Sequence, residues 1–149
     1  MAMLEIRPTG DKGRGLFACE AIAEGGLVIA MQGITLKTEE LTDDLLAMQV
    51  GPDLWFCGDG NQPDDCVNHS CAPNTGFLTG ETDLYAVADI AAGEEITWDY
   101  STSMSWPDWT LECRCRSANC RQIVKGWNEL SEADRDRLRP MALKYLRND

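Results

Sequence analysis

Ten consecutive residues, Asp65-Cys66-Val67-Asn68-His69-Ser70-Cys71-Ala72-Pro73-Asn74, hold the only histidine of the chain, two of its seven cysteines and two of its asparagines. Side chains of these types ligate metals, hydrogen-bond ligands and move protons. A segment this polar, in a 149-residue chain with a core to build, suits a ligand-holding loop better than a packing element. A second cluster, Cys113-x-Cys115-x4-Cys120, follows near the C-terminal end. Three thiolates so spaced wrap one side of a tetrahedral zinc at about 2.3 Å each and leave a fourth position to fill. Cys71, Cys66, Cys57, Cys19 and His69 are all able to fill it. An odd cysteine count with three crowded together fits metal ligation better than a disulfide framework. A zinc shared with a distant loop would pin the tail to the body and make its folding depend on metal. His69 has three open roles: zinc ligand, general base, or a structural residue fixing its loop.

The elements that must hold these residues are short. Residues 4–7 alternate like a strand that Pro8-Thr9-Gly10-Asp11 ends. Lys12-Gly13-Arg14-Gly15 then places two glycines one residue apart, which let a backbone approach a ligand closely and equally suit a plain turn. Residues 27–31 are an apolar run between glycines, expected as a buried strand. Leu41, Leu45, Leu46 and Met48 fall on a rough helical period and predict a helix over 39–50. Residues 55–57, 75–78, 84–90 and 95–100 read as strands. Residues 101–110, with Trp106 and Trp109 amid polar neighbours, read as a linker that packs only in patches. Ser131-Glu132-Ala133-Asp134 opens a helix toward Tyr145 that Pro140 kinks or breaks. The pattern is that of one β-rich domain without internal repeats.

Four stretches in register, Gly13-Arg14-Gly15-Leu16-Phe17, Asn68-His69-Ser70-Cys71-x-Pro73-Asn74, Gly93-Glu94-Glu95-Ile96-Thr97-Trp98-Asp99-Tyr100 and the cysteine cluster, resemble the SET domain with a post-SET zinc motif. The match spans residues 3–126. The resemblance implies a mainly β (β+α) fold of small curved sheets with a C-terminal pseudoknot, a zinc-bound post-SET segment and a C-terminal helix. Its divisions would be a SET domain at 1–110, a post-SET segment at 111–126 and a helical extension at 127–149. It implies a protein-lysine N-methyltransferase that uses S-adenosyl-L-methionine and holds one structural Zn2+. Lys12, Gly13, Arg14 and Gly15 match the cofactor-binding glycine turn, Asn68 and His69 the adenosine-contacting pair, and Tyr100 the catalytic tyrosine, which also adjoins the cofactor. Ile123 falls where an apolar residue covers the adenine, with Trp127 as the alternative. Cys71 matches the cysteine that completes the zinc site with Cys113, Cys115 and Cys120. Trp98 and Met31 fall on the substrate lysine channel.

Three positions depart from the family pattern. Asp65 stands where an arginine is frequent, and Met31 sits near the place of a channel tyrosine. Trp98 replaces a Phe or Tyr that bears on how many methyl groups fit. A weakly active or inactive SET module that binds a basic protein tail is the alternative function.

Methyl transfer from a sulfonium is a direct displacement, so a protein must align donor and amine and exclude water. The attacking lysine must be neutral, which costs about 4 to 5 kcal/mol at neutral pH from a solution pKa near 10.4. An apolar channel at Trp98 and Tyr100 and the nearby positive sulfonium both disfavour the ammonium and lower that cost. A tyrosine with a pKa of about 10 orients the amine and is no strong base.

The net charge of −12 is uneven. Up to Leu111 there are 4 Lys/Arg against 19 Asp/Glu; from Glu112 onward there are 9 against 6. An acidic body repels a phosphate backbone, so a basic protein or peptide is the expected partner and direct nucleic-acid binding is not. Acidity also serves solubility alone. No window approaches the roughly 20 apolar residues of a membrane span, and the N-terminus lacks the pattern of a signal peptide. A soluble intracellular protein, cytoplasmic or nuclear and chromosome-associated, is expected. Residues 131–149 either pack on the body or support a homodimer.

Overall fold

Alternation in Leu4–Pro8 (β1) and the apolar Leu16 and Phe17 of Arg14–Ala18 (β2) build an antiparallel pair in the computed structural model, which describes residues 2–147. Between them the Thr9 N–H donates to the Gly13 carbonyl at 2.8 Å, and Gly13 takes φ +72°, open to glycine without a Cβ penalty. β2 also pairs with Glu95–Trp98 (β10), which runs parallel to the two-residue strand Asn68–His69 (β7). Here Thr97 lies opposite Asn68 and Trp98 opposite His69, so two of the stretches singled out in the sequence are neighbours in one sheet.

A second sheet has the order Leu27–Ala30 (β3), Asp83–Ala86 (β9), Thr75–Gly76 (β8). A third orders Ile34–Leu36 (β4), Leu54–Gly58 (β6), Leu46–Gly51 (β5). Thr110–Glu112 (β11) and Ile123–Lys125 (β12) form a hairpin that brackets the three C-terminal cysteines. Leu16, Val28, Phe77, Leu84 and Ile96 are fully buried between the first two sheets. Each such side chain contributes about 1.5–3 kcal/mol.

The helix expected over 39–50 does not form. Residues Thr38–Glu40 make one 3-10 turn, residues 41–45 are irregular, and Leu46–Gly51 (β5) forms a tight hairpin with β6. Leu46, Met48 and Val50 alternate as well as they spiral, and pairing with Trp55, Phe56 and Cys57 decides between the two periods. Nor are residues 101–110 a loose linker throughout: Ser101, Thr102, Ser103 and Met104 are all buried.

At the C-terminal end the Ser131 hydroxyl accepts from the Asp134 N–H at 3.1 Å and starts Glu132–Leu138 (α1). The helix stops two residues before Pro140, passes through a 3-10 turn, and resumes as Lys144–Arg147 (α2). Residues 131–147 pack on the body; residues 148 and 149 of this region lie outside the described residues. Trp127, Leu130, Leu138, Ala142 and Leu146 cluster together, the Phe77 N–H donates to the Met141 carbonyl at 2.9 Å, and the Leu143 N–H to the Thr102 carbonyl at 2.9 Å. No helix among the described residues is long and apolar enough to cross a membrane.

Candidate active site

Two clefts meet at one tyrosine. The first, of 210 Å3, is mainly apolar and is walled by Met31, Met48, Phe56, Val67, Trp98 and Tyr100. The second, of 280 Å3, is walled by Lys12, Asn68, His69, Tyr100, Leu111 and Cys113. Asn68 and Tyr100 line both.

Tyr100 opens the 3-10 turn that ends β10, which turns its ring back toward the clefts. Its ring centroid lies 4.6 Å from that of Trp98 and 5.3 Å from that of His69. The hydroxyl donates to the Val67 carbonyl at 2.7 Å. Burial, with Glu95 and Cys66 adding to it, pushes the phenol well above its ordinary value of 10.0. The group is therefore a neutral donor throughout the physiological range.

On the polar side the Asn68 amide donates to the Arg14 carbonyl at 2.9 Å and to Glu95 at 3.0 Å. The Lys12 ammonium pairs with the other Glu95 oxygen at 2.6 Å. Gly15 makes this cradle possible. A Cβ there would lie 2.6 Å from the Thr9 methyl and 2.8 Å from the Glu95 carboxylate.

His69 is buried and neutral. Burial pulls its pKa to about 4, against the opposing pull of Asp99 3.8 Å away, so the two are not an ion pair. Nδ1 accepts from the Tyr100 N–H at 3.0 Å, which leaves the proton on Nε2, 3.4 Å from Cys71 Sγ. The sulfurs of Cys71, Cys113, Cys115 and Cys120 all lie within 4.8 Å of one another, and those of Cys71 and Cys113 are 3.9 Å apart. Four thiolates at about 2.3 Å around zinc would sit about 3.8 Å apart, so the donor set and its spacing both fit that ion. His69, Cys19, Cys57 and Cys66 stand outside the group. Burial pushes the Cys71 thiol up to about 11. At Cys115 burial works the same way, but hydrogen bonds led by Ser117 outweigh it and bring the thiol to about 6.

Of the residues expected at a cofactor site, Lys12, Asn68, His69 and Tyr100 line the polar cleft; Gly13, Arg14, Gly15 and Ile123 do not. The Arg14 guanidinium turns away to the Gly60 carbonyl, and Gly15 supports the cleft from behind. Ile123 is 51% exposed on β12, and the apolar wall there is Leu111 instead. Trp127, the alternative, is buried in the C-terminal cluster and is not at the cleft. Met31 and Trp98 do line the apolar cleft. Sequence reading passed over Asp64, Met48 and Phe56 in its wall, and over a buried Asp99–Arg121 pair beneath Tyr100.

A family model for the SET domain matches residues 13–101. The chain belongs to the SET-domain family. Histone-lysine N-methyltransferase ash1 of Drosophila melanogaster is 29% identical over 135 residues, covering 79% of this chain and 6% of that protein. The Variant-silencing SET domain-containing protein of Plasmodium falciparum is 29% identical over 141 residues, covering 78% of this chain and 5% of that protein. The chain therefore spans a small fraction of the length of these relatives. Among solved structures, KRYPTONITE in complex with mCHH DNA, an H3(1-15) peptide and SAH superposes with a TM-score of 0.65 over 84% of this chain and 30% of that one, at 24% identity. That likeness is one of fold, and the mainly β SET architecture is common to both.

Proposed function

We propose that this SET domain transfers a methyl group from S-adenosylmethionine to a lysine amine in a basic protein or peptide. The observation that carries the reading is the meeting of an apolar and a polar cleft at Tyr100 and Asn68. The polar cleft would take the donor, with Lys12, Asn68 and His69 on its wall and the Gly13–Gly15 backbone behind them. Leu111 is a better apolar cover for the adenine than Ile123. The apolar cleft would take the lysine stem between Met31, Phe56 and Trp98.

The donor supplies a methyl on a positively charged sulfur. The lysine would first release a proton to solvent; methyl transfer to its neutral nitrogen would then move the positive charge from sulfur to nitrogen, leaving a methylammonium and a neutral thioether. Apolar walls favour the neutral amine that this step needs. Tyr100, held protonated, orients the reacting nitrogen and removes no proton. One Zn2+ on Cys71, Cys113, Cys115 and Cys120 would be structural. On this reading the chain divides into a SET body at 1–110, a zinc-bound segment at 111–126 and a helical extension at 127–149.

Asp64 and Asp65 on the apolar cleft favour a basic substrate, for which an H3 tail peptide is the natural first probe. The fold's occurrence beside DNA in KRYPTONITE does not carry over to a chain with this acidic balance. An intracellular protein, nuclear or cytoplasmic, fits the seven free cysteines.

The test is transfer of labelled methyl from S-adenosylmethionine to a lysine of an H3 tail peptide. Tyr100→Phe is expected to lower kcat by about 100-fold or more. Unchanged turnover would remove Tyr100 from the mechanism. A wild-type protein that binds the peptide without methylating it would be a binding module.

A further inference from the structure

Asp99 is the one buried acid among the described residues, 1% exposed. The Arg121 guanidinium grips both its oxygens at 2.8 Å. The same guanidinium donates to the Ser101 hydroxyl at 3.0 Å, and Asp99 accepts from the Ser101 N–H at 3.0 Å. Both residues that flank Tyr100 are thus tied to one arginine. That arginine directly follows Cys120, and its own N–H donates to Cys71 Sγ at 3.4 Å. The Ser101 hydroxyl in turn donates to the Lys125 carbonyl at 2.6 Å, on the strand that closes the cysteine hairpin.

Stability alone is a poor account of this pair. Buried ion pairs lose several kcal/mol per ion to desolvation and are often replaceable by apolar side chains at no loss. Arg121 Nε is, in addition, buried without a hydrogen-bond partner. An unsatisfied buried donor costs about 1–3 kcal/mol. What the planar fork does supply is direction, because two parallel bonds fix the carboxylate plane and with it the chain on either side of Tyr100.

We propose that Arg121 is a positioning residue that couples the four-cysteine site to Tyr100 through Asp99 and Ser101. The proposal rests on the methyltransferase reading only for the task given to Tyr100. Binding of metal orders the segment that carries Arg121; the fork carries that order to the turn at residues 99–101. Loss of metal frees Arg121, and Tyr100, which is not itself part of the four-cysteine group, loses its fixed place. A lysine at 121 keeps the charge and loses the fork.

Three tyrosines make the protein suited to 13C-tyrosine NMR, with the Tyr100 ring signal assigned by its loss in Tyr100→Phe. In the wild type, stripping zinc with a chelator is expected to move the Tyr100 signal. In Arg121→Lys that movement is expected to fall below about a third of the wild-type value, while zinc stays at one per chain and the S-adenosylhomocysteine Kd stays within about threefold. The kcat of the variant should drop about tenfold or more, since small misplacements of reacting groups cost that much. A wild-type Tyr100 signal indifferent to chelation overturns the proposal. So does Arg121→Lys with wild-type kcat and a wild-type response, or with lost zinc, which would assign the pair to building the metal site. If Arg121→Lys does not fold, Ser101→Ala removes one arm of the network, and an unchanged response there also overturns it. No turnover in a wild type whose Tyr100 still answers to chelation would refute the methyltransferase reading and leave the coupling standing.

Discussion

Tyr100 and Gly15 act by opposite means, one by what its side chain does and one by having none. Tyr100 is protonated in the folded chain well above the pH at which a free tyrosine ionises, and burial raises Tyr145 likewise, to about 12. A phenol whose pKa is higher folded than unfolded contributes stability that is present below about pH 10 and lost progressively above it. Denaturant melts should therefore show stability falling between about pH 10 and 12, and Tyr145→Phe should make the fall shallower. An equal slope in that variant would mean that the ring is no more buried folded than unfolded. Gly15 sits beneath the Glu95 carboxylate, which cannot retreat freely because it holds both Lys12 and Asn68. Gly15→Ala is expected to weaken S-adenosylmethionine binding about tenfold, or about 1.4 kcal/mol, by calorimetry, and to lower the melting temperature as well, because the added methyl has no free space.

At the scale of elements, the turn from β7 to Cys71 belongs to two sites at once. Its first residues, Asn68 and His69, line the polar cleft, and Cys71 belongs to the cysteine group two positions later. Chelation should therefore weaken S-adenosylhomocysteine binding measured by calorimetry. Affinity that survived chelation would separate Cys71 from the metal. How much of this was legible beforehand differs by element. The cysteine spacing was readable as a metal-ligand cluster and Cys71 joins it, whereas the residue type of His69 alone left three roles open. The strand at β10 and the N-cap at Ser131 were readable from alternation and from a hydroxyl three residues before an acid. β5 was not, since six residues with apolar positions two apart satisfy both periods until a partner strand decides. The burial of residues 101–104 was hidden for a related reason. Ser101, Thr102 and Ser103 read as solvent-seeking, yet their polar groups are matched inside by Lys125, Asp99 and Gln49 carbonyls.

Over the whole molecule the question is what the excess of acid is for. Up to Leu111 the chain carries a net −15, and Asp64 stands where the apolar cleft joins a neighbouring groove of 540 Å3 that also holds Asp59 and Asp65. Burial raises the Asp64 carboxyl above its ordinary 3.8, although it accepts from the Gln32 N–H at 2.9 Å. It takes part in no ion pair among the described residues. A cationic side chain beside the target lysine would supply what it lacks. Charge attraction across a cleft mouth is screened over about 10 Å at 0.1 M salt. The KM for a basic peptide should therefore rise by about an order of magnitude as salt is raised from about 0.05 to 0.5 M, while the KM for S-adenosylmethionine moves less. Asp64→Asn keeps an oxygen for Gln32 and removes the charge, so it should raise peptide KM at low salt and flatten the salt dependence. Asp65 also holds the Gly60 and Gln62 N–H groups, at 3.1 and 3.2 Å, so its substitution mixes charge with loop geometry. If the Asp64→Asn slope matches the wild type, attraction is a property of the whole acidic surface. If peptide KM ignores salt in both proteins, the charge serves solubility and the substrate is chosen by the shape of the apolar cleft alone.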